Sequence, residues 1–592
     1  MMSDRVIRIG GASGAWGDSP GALAQLLGAG VEYLMMDYLA EVTMSLLARA
    51  KMKDPSSGFP PDAVAYLGAV LPELAAKKVK VASNAGGVNP AGAKRALEAL
   101  IAEKNLALTV AIVEGDDVLP LIPALRAQDV REAVSGDALP ARLLTANAYL
   151  GALPIKAAFD AGADIVITGR CADSALALGI LMHEFGWHET DYDRLAAGSL
   201  VGHILECGPQ ATGGNFTDWE QVPDWHNIGY PIVSCRADGT FSVSKPEDTG
   251  GLIIPAVVAE QTLYEIGDPA AYILPDVVAD FSAVTITQAG ENKVEVRGAK
   301  GRAPTSQYKI SATYQDGYRS VATVSIVGVD AAAKAERTGR TLIDRAEMLF
   351  RERNIPPFKA THIEALGAEA SYGAHSRARA SREVLLRLVV VHESREALEI
   401  FGRELGSIGL SCAPGTTGIY NGRPKPAPLV KLFTMFLDKS TLPRPRLTIG
   451  DGAPVEIDIP LEGGYVPGPA IAGPVAAAGA TVDVPLIKLA YARSGDKGNS
   501  SNVAIFARDP DYLPWLRRIL TPQKLVAQLD SLVNGPAQRF EAPGLNALNF
   551  LIEDALGGGG MASLRIDPQG KAYGQMVLEM IVPVPAEWNI EV

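Results

Sequence analysis

Polar side chains able to do chemistry recur directly behind short apolar runs in the first 175 residues. Gly10-Gly11-Ala12-Ser13-Gly14 with Asp18 follows the first run, and Asp37-Tyr38-Leu39-Ala40-Glu41 the second. Ser83-Asn84-Ala85-Gly86-Gly87-Val88-Asn89-Pro90, Glu114-Gly115-Asp116-Asp117 and Thr168-Gly169-Arg170-Cys171-Ala172-Asp173 follow the next three. Asp37 and Glu41 share one face if a helix has begun by Asp37, and two carboxylates there suit acid–base work or a hard cation; a solvated helix face fits equally. Asp116 beside Asp117 has the same two readings, chemistry or a helix cap. The amides of Asn84, Asn89 and Asn147 could hold an oxyanion or carboxylate, although Asn89-Pro90 is also an ordinary helix start. Arg170 fits a carboxylate or phosphate clamp, or an ion pair with Asp173. The glycines at 10, 11 and 14, with Ser13, allow a ligand to approach the backbone, and a helix from Ser19 or Pro20 would offer N–H groups to an anion. A tight strand–helix turn with Asp18 as its cap is the alternative.

A second polar cluster runs from Glu206 to Trp219 and gathers Glu206, Cys207, Gln210, Gly213 and Asn215. Glu206 could act as a general acid or base. Cys207 as a nucleophile needs a base, and His203 lies four residues upstream, but small buried cysteines are commoner than reactive ones. Near the end of the chain Arg493 and Lys497, in ARSGDKGNSSN, form either an anion cradle or a solvated turn. IGGASG lacks the spacing of a dinucleotide fingerprint and the lysine of a P-loop, so there is no nicotinamide or flavin signature. The 7 histidines show no HxxxH or HExxH spacing, which argues against a transition metal; carboxylate-bound Mg²⁺ stays open.

The elements that must position these groups alternate. Strands are predicted at Val6–Ile9, Val31–Met36, Val79–Ala82, Leu106–Val113 and Asp164–Thr168, with helices at Pro20–Leu27, Pro61–Lys77, Ala91–Lys104 and Leu119–Arg126. This is the signature of parallel βαβ units, whose ligands bind at the carboxyl ends of the strands. The fold class is therefore α/β, with a βαβ-rich part over 1–199, a mixed α+β part over 200–462, a Pro/Gly/Ala linker over 463–484 and a small α+β domain over 485–592. In the middle part, helices are predicted at Ala331–Glu352 and near Ser394–Glu404, with a strand at Val384–Val391. In the last, the pattern predicts strands at Leu486–Tyr491 and Val503–Ala507, a polar loop at GDKGNSSN, and helices near Pro522–Leu532 and Gly544–Leu556. The 592 residues carry 47% hydrophobic and 20% charged side chains with a net charge of −13, which excludes the disordered class. No basic stripe points to nucleic acid, and no apolar run is long enough for a membrane. The 4 scattered cysteines read as reduced thiols, and MMSDRVIRIG lacks a signal-peptide core, so a cytoplasmic location is expected.

The motifs IGGASGAWGDSP, MMDYLAEVTMSLLAR, SNAGGVNP, NAYLG, GADIVITGRCADSAL, HILECGPQATGGNFTDW, TGGL and YILPDVVADF together resemble the acyclic terpene utilisation A (AtuA) family. LAYARSGDKGNSSNVAIFAR resembles the ferredoxin-fold module that accompanies it. The resemblance implies a place in bacterial breakdown of citronellol and geraniol through acyl-CoA intermediates, and carries over no settled site residues. The expected activity is hydratase or lyase chemistry on an acyl-CoA-like small molecule, by a homo-oligomer. A non-catalytic partner subunit of an acyl-CoA carboxylase or hydratase, and a Cys207-dependent hydrolase or transferase, are the alternatives.

Overall fold

A computed structural model describes residues 5–420, 422–465, 474–476, 479–560 and 562–590. The first third folds as β1 (Val6–Ser13), α1 (Gly21–Gly28), β2 (Tyr33–Met36), α2 (Glu41–Lys53), α3 (Pro61–Lys77), β3 (Lys80–Ser83), α4 (Pro90–Glu103), β4 (Val110–Glu114), α5 (Ile122–Ala127), β5 (Thr145–Ala148), α6 (Leu153–Asp160), β6 (Ile165–Thr168), α7 (Ala175–Phe185) and α8 (Tyr192–Leu205). Strands β1, β2, β3, β6 and β4 lie side by side in that order, all parallel. Antiparallel strands extend this core on both edges into an 11-stranded sheet. Successive residues of a strand face opposite sides. Leu34 and Met36 accordingly pack with α1, α3 and α4, while Tyr33 and Met35 pack with α6, α7 and α8. The chain thus changes face between α4 and α6, which opens a crevice beyond the carboxyl ends of β3, β6 and β4.

β5 leaves this sheet and pairs with Gln307–Val327, a 21-residue strand at the centre of a second sheet. Helices Ala331–Glu352 and Arg395–Glu404 cover that sheet, as their strongly one-sided apolar patterns require.

The last region is an antiparallel four-stranded sheet in the order Ala490–Lys497, Ser500–Ala507, Ala547–Ile552, Ala537–Ala542. Several expectations are corrected here, among them the strand at Leu486–Tyr491, which begins only at Ala490 behind a 3-10 turn over Leu486–Lys488. GDKGNSSN is not a loop: strand runs to Lys497 and resumes at Ser500, with Gly498 (φ +66°) making the turn. The helix expected near Gly544–Leu556 is the strand Ala547–Ile552, buried on both sheet faces, a situation in which an apolar run carries no period to separate strand from helix. The expected linker lies partly outside the described residues, and its end, Thr481–Pro485, is a strand paired with Ile581–Pro585. In the first region the strand expected from Leu106 begins only at Val110, after a left-handed Asn105. Among the described residues no helix is long and apolar enough to cross a membrane.

The small sheet docks on residues 210–268 by apolar packing, Phe506, Leu545 and Ala547 joining the larger region's core, and by a set of polar contacts. Asn502 donates to the Leu263 carbonyl (3.0 Å) and accepts from the Glu265 N–H (2.9 Å), and Asn549 donates to the carbonyls of Ile266 (2.7 Å) and Gly267 (2.6 Å). Arg508 forks onto Asp218 at 2.7 and 2.6 Å. Beneath them Glu260, 3% exposed, accepts from the Thr217 hydroxyl at 2.6 Å, and that hydroxyl accepts in turn from the Ala492 N–H at 3.1 Å. Burial pushes the Glu260 carboxyl up to about 8, against the hydrogen bonds of Thr217 and the charge of Arg493. The folded state therefore holds a proton that the unfolded chain has already released above its ordinary carboxylate pKa. Stability falls as pH rises from about 4.5 to about 8. Glu260→Gln, which keeps the shape and removes the titration, should flatten this part of the profile: its thermal midpoint should gain on wild type between pH 5.5 and 8.5. Parallel profiles for the two proteins would refute the assignment.

Candidate functional site

The crevice is assembled from chain that leaves β2, β3, β5 and β6, and from the last turn of α8. Beyond β2, Ala40 is extended (φ −113°, ψ 169°) and caps α2, so the helix begins at Glu41. Asp37 therefore precedes the helix, and the expectation that Asp37 and Glu41 share one helical face is corrected. Asp37 is tied instead to the next strand end: its Oδ1 accepts from Asn84 Nδ2 (2.6 Å) and the Leu39 N–H (3.2 Å), while Asn84 Oδ1 accepts from the Tyr38 N–H (2.8 Å). Beyond β6, Arg170 is buried and paired with Asp173. Glu206 follows the end of α8, and one oxygen each from Asp37, Asp173 and Glu206 lies within 4.8 Å of the others.

Two zones of opposite character result. Around Glu41 the charges are matched: its carboxylate accepts from the Tyr149 hydroxyl and from Lys309 Nζ (3.4 Å), and Arg170 and Lys309 stack on the Tyr149 ring at 4.1 and 4.6 Å. Burial raises the Glu41 carboxyl, but Lys309, Arg170 and the Tyr149 hydroxyl outweigh it and hold it at about 2. Around Asp37 and Glu206 the charges are unmatched. Burial, followed by repulsion from Asp173, drives both carboxyls well above the usual range, against Arg170 and, for Glu206, Lys497.

A cleft of about 640 Å³ opens on the same rim, walled by Lys51, Gly87, Asp116, Asp117, Arg444 and Arg446 among others. Thr145 and Asn147 line it and also line a pocket of about 10 Å³ bounded by Glu41, Met44, Arg170, Ser311 and Thr313. Ser311 Oγ and Arg170 Nε are buried without a hydrogen-bond partner.

The remaining predicted residues divide by position. Asp116 braces the rim, accepting from the Arg170 N–H and from Asn147 Nδ2 at 2.8 Å each, and burial lifts it to about 6. Asn89 caps α4, accepting from the Gly92 N–H (3.1 Å), and its amide holds the Ser57 carbonyl (2.7 Å). Asp18 ties its own loop, accepting from the Gly14 N–H (2.8 Å) and the Tyr230 hydroxyl (2.5 Å), and makes no cap to α1. Ser13 donates to the Asp37 carbonyl (2.9 Å). Gln210 and Asn215 receive Arg493, and Gly213 (φ +106°) turns the chain between them, so this group joins the two regions. Lys497 reaches the Glu265 carbonyl (3.3 Å) and lies over the Tyr272 ring.

The surroundings of Cys207 oppose the expected nucleophile: burial and the carboxylates of Glu206 and Glu265 push its thiol well up, away from thiolate. His203, its expected base, places Nδ1 2.8 Å from Glu206 Oε1 instead, and burial drops the ring to about 4. Sequence reasoning missed Tyr149, Lys309 and Lys571. Lys571 contacts Tyr264 and Glu265, and burial lowers it to about 8. Tyr149 had a usable signal, since it trails a short run as the other site residues do; Lys309 sits mid-strand and had none.

The fold and crevice define an α/β protein with a strand-end polar site and a smaller C-terminal sheet docked on the same region. Residues 7–446 match the family model described as acyclic terpene utilisation family protein AtuA, and residues 484–583 match the AtuA ferredoxin-like domain. The chain belongs to the AtuA family, and membership points to a part in acyclic terpene utilisation. No curated protein and no solved structure matches it.

The glycine segment has a role the sequence left open. A Cβ on Gly11 would stand 2.6 Å from the Leu205 carbonyl oxygen, and one on Gly14 would stand 2.8 Å from the Cys207 backbone. The close approach is to the end of α8, which carries Glu206. Gly11→Ala should therefore lose about 1–3 kcal/mol in denaturant unfolding, the range of an overpacked core. Gly28→Ala, with open space around its Cβ at the end of α1, should be neutral or slightly stabilising. Equal effects of the two would remove the close-packing explanation.

Proposed function

We propose that this chain is an enzyme that adds water to, or removes it from, a branched or carboxylated acyl thioester in acyclic terpene breakdown. The observation that carries the reading is the small polar pocket between Glu41 and Arg170, at the foot of the larger cleft. Its volume, about 10 Å³, is at the lower limit for one water molecule, and such a site needs two to four polar partners. Ser311 Oγ and Arg170 Nε are the unpaired groups there, and Glu41, held ionised, is an acceptor for the water's protons. A held water favours hydration over carbon–carbon cleavage, which needs none.

The rest of the crevice suits a reaction beside a carbonyl. Arg170 and Lys309 are cations facing the site, and they offset the charge of an enolate-like state or receive a substrate carboxylate. The Tyr149 hydroxyl, which donates to Glu41, stays protonated because burial raises it, and serves as a proton donor. The larger cleft has room for the body of an acyl substrate, and its mixed lining fits an apolar chain with a polar end.

The test is hydration of a panel of branched and carboxylated unsaturated acyl-CoAs, followed by incorporation of ¹⁸O from labelled water. Ser311→Val, which fills the pocket, should lower kcat at least tenfold with KM little changed. Glu41→Gln should cost more. If the purified protein neither binds nor converts any thioester, the reading is lost. If a co-purifying carboxylase or hydratase is active with this chain bound and indifferent to Glu41→Gln, the chain is a partner subunit instead.

A further inference from the structure

We propose that Asp37, Asp173 and Glu206 hold one hard divalent cation, Mg²⁺ or Mn²⁺, beyond the carboxyl ends of β2 and β6. The inference deepens the reading of this crevice as a reactive site by naming its cofactor. Three separate pieces of chain deliver these carboxylates, and one oxygen from each falls within 4.8 Å of the others. An ion with ligands at about 2.1 Å sets opposite oxygens about 4.2 Å apart, so the spacing fits around a single ion. A set made only of carboxylate oxygens selects Mg²⁺ or Mn²⁺ over softer metals.

The pattern of hydrogen bonds is that of ligands held from behind. Asp37 uses Oδ1 for Asn84 and Leu39, Asp173 uses Oδ1 for Arg170, and Glu206 has Oε1 beside His203. Among the described residues the second oxygen of each, Oδ2, Oδ2 and Oε2, has no protein hydrogen-bond donor. Outer partners that fix one oxygen and leave the other for metal are a recurring feature of metal sites.

His203 is an independent pointer. It is 1% exposed, neither ring nitrogen has an aligned hydrogen-bond partner, and Nδ1 faces the cluster 2.8 Å from Glu206. A buried imidazole whose nitrogens lack well-aligned hydrogen bonds is costly unless something else occupies the site. An ion drawing Glu206 through Oε2, with its bound water, supplies that missing partner. The charge count agrees. Three carboxylates share one paired cation, Arg170, with Lys497 acting on Glu206 from further off and Lys309 engaged by Glu41.

The experiment titrates Mn²⁺ into EDTA-stripped full-length protein and follows free Mn²⁺ by electron paramagnetic resonance. One saturable site per chain is expected, displaced by Mg²⁺, with a rise in the thermal midpoint on binding. Asp37→Asn and Glu206→Gln should each weaken Mn²⁺ at least tenfold and abolish the midpoint rise. Both replace a buried carboxyl in a crowded group by a neutral amide, so in EDTA their midpoints should equal or exceed that of wild type, which separates lost binding from lost folding. No saturable site, or binding unchanged in both variants, overturns the proposal. An ion bound by a protein that converts no thioester would sink the hydration reading and leave the ion site standing. Full hydration in EDTA without Mn²⁺ binding would do the reverse.

Discussion

The last turn of α8 lies against the backbone of β1 with no side chain between them. Gly11 meets the Leu205 carbonyl and Gly14 meets Cys207, each closer than a Cβ would allow. Interiors are packed densely enough that one extra carbon at such a contact must move a segment. The segment here is the one that ends in Glu206, so the separation of Glu206 from Asp37 and Asp173 is set by a strand on the far side of the contact. The Ser13 hydroxyl, on the same strand, fixes the Asp37 carbonyl at 2.9 Å. β1 thus positions both the helix end and the neighbouring strand end through the uncharged residues Gly11 and Ser13.

Around that scaffold the crevice separates paired from unpaired charge. Glu41, Lys309, Arg170 and Tyr149 offset one another in charge through a hydrogen bond, an ion pair and ring stacking. The Asp37–Asp173–Glu206 group has no such balance within the protein. Arg170 belongs to both zones, since its side chain pairs with Asp173 and stacks on Tyr149 while its N–H is held by Asp116. A change at Asp116 or Asn147 would therefore be felt through the position of Arg170.

What the sequence made legible was the placement of strand ends. Asp37, Asn84, Asp116 and Arg170 all follow short apolar runs, and parallel strands must bring such endings to one rim. Their partners were illegible for a physical reason: contacts such as Arg170 with Tyr149, or Glu41 with Lys309 268 residues away, depend on how β5 leaves the first sheet to join the long strand Gln307–Val327. That departure has no local signal, since Thr145–Ala148 is only four residues long. Glycine was ambiguous in the same way. Its freedom to approach closely is visible in IGGASG, but whether ligand or helix does the approaching is decided by tertiary packing. The strand Ala547–Ile552 was misread because burial on both faces erases the alternation by which a strand is recognised.

The C-terminal sheet shows why two matched regions belong on one chain. Its contacts with the larger region combine hydrogen bonds and ion pairs through Arg493, Asn502, Arg508 and Asn549 with apolar packing of Ala504, Phe506, Leu545 and Ala547 into the larger region's core. Joining them converts docking into an intramolecular step at an effective concentration of about millimolar or more. The docked sheet brings Lys497 to the Glu265 carbonyl and over Tyr272, and Lys571 to Glu265 and Tyr264. Both lysines come from the small sheet's region and meet residues just beyond Pro255–Leu263, the helix that carries Glu260. These contacts exist only while the sheet is seated, on a surface that includes the buried Glu260 carboxyl. Lys497 also pulls the Glu206 carboxyl down against burial, so the docked sheet contributes to the electrostatics of the crevice.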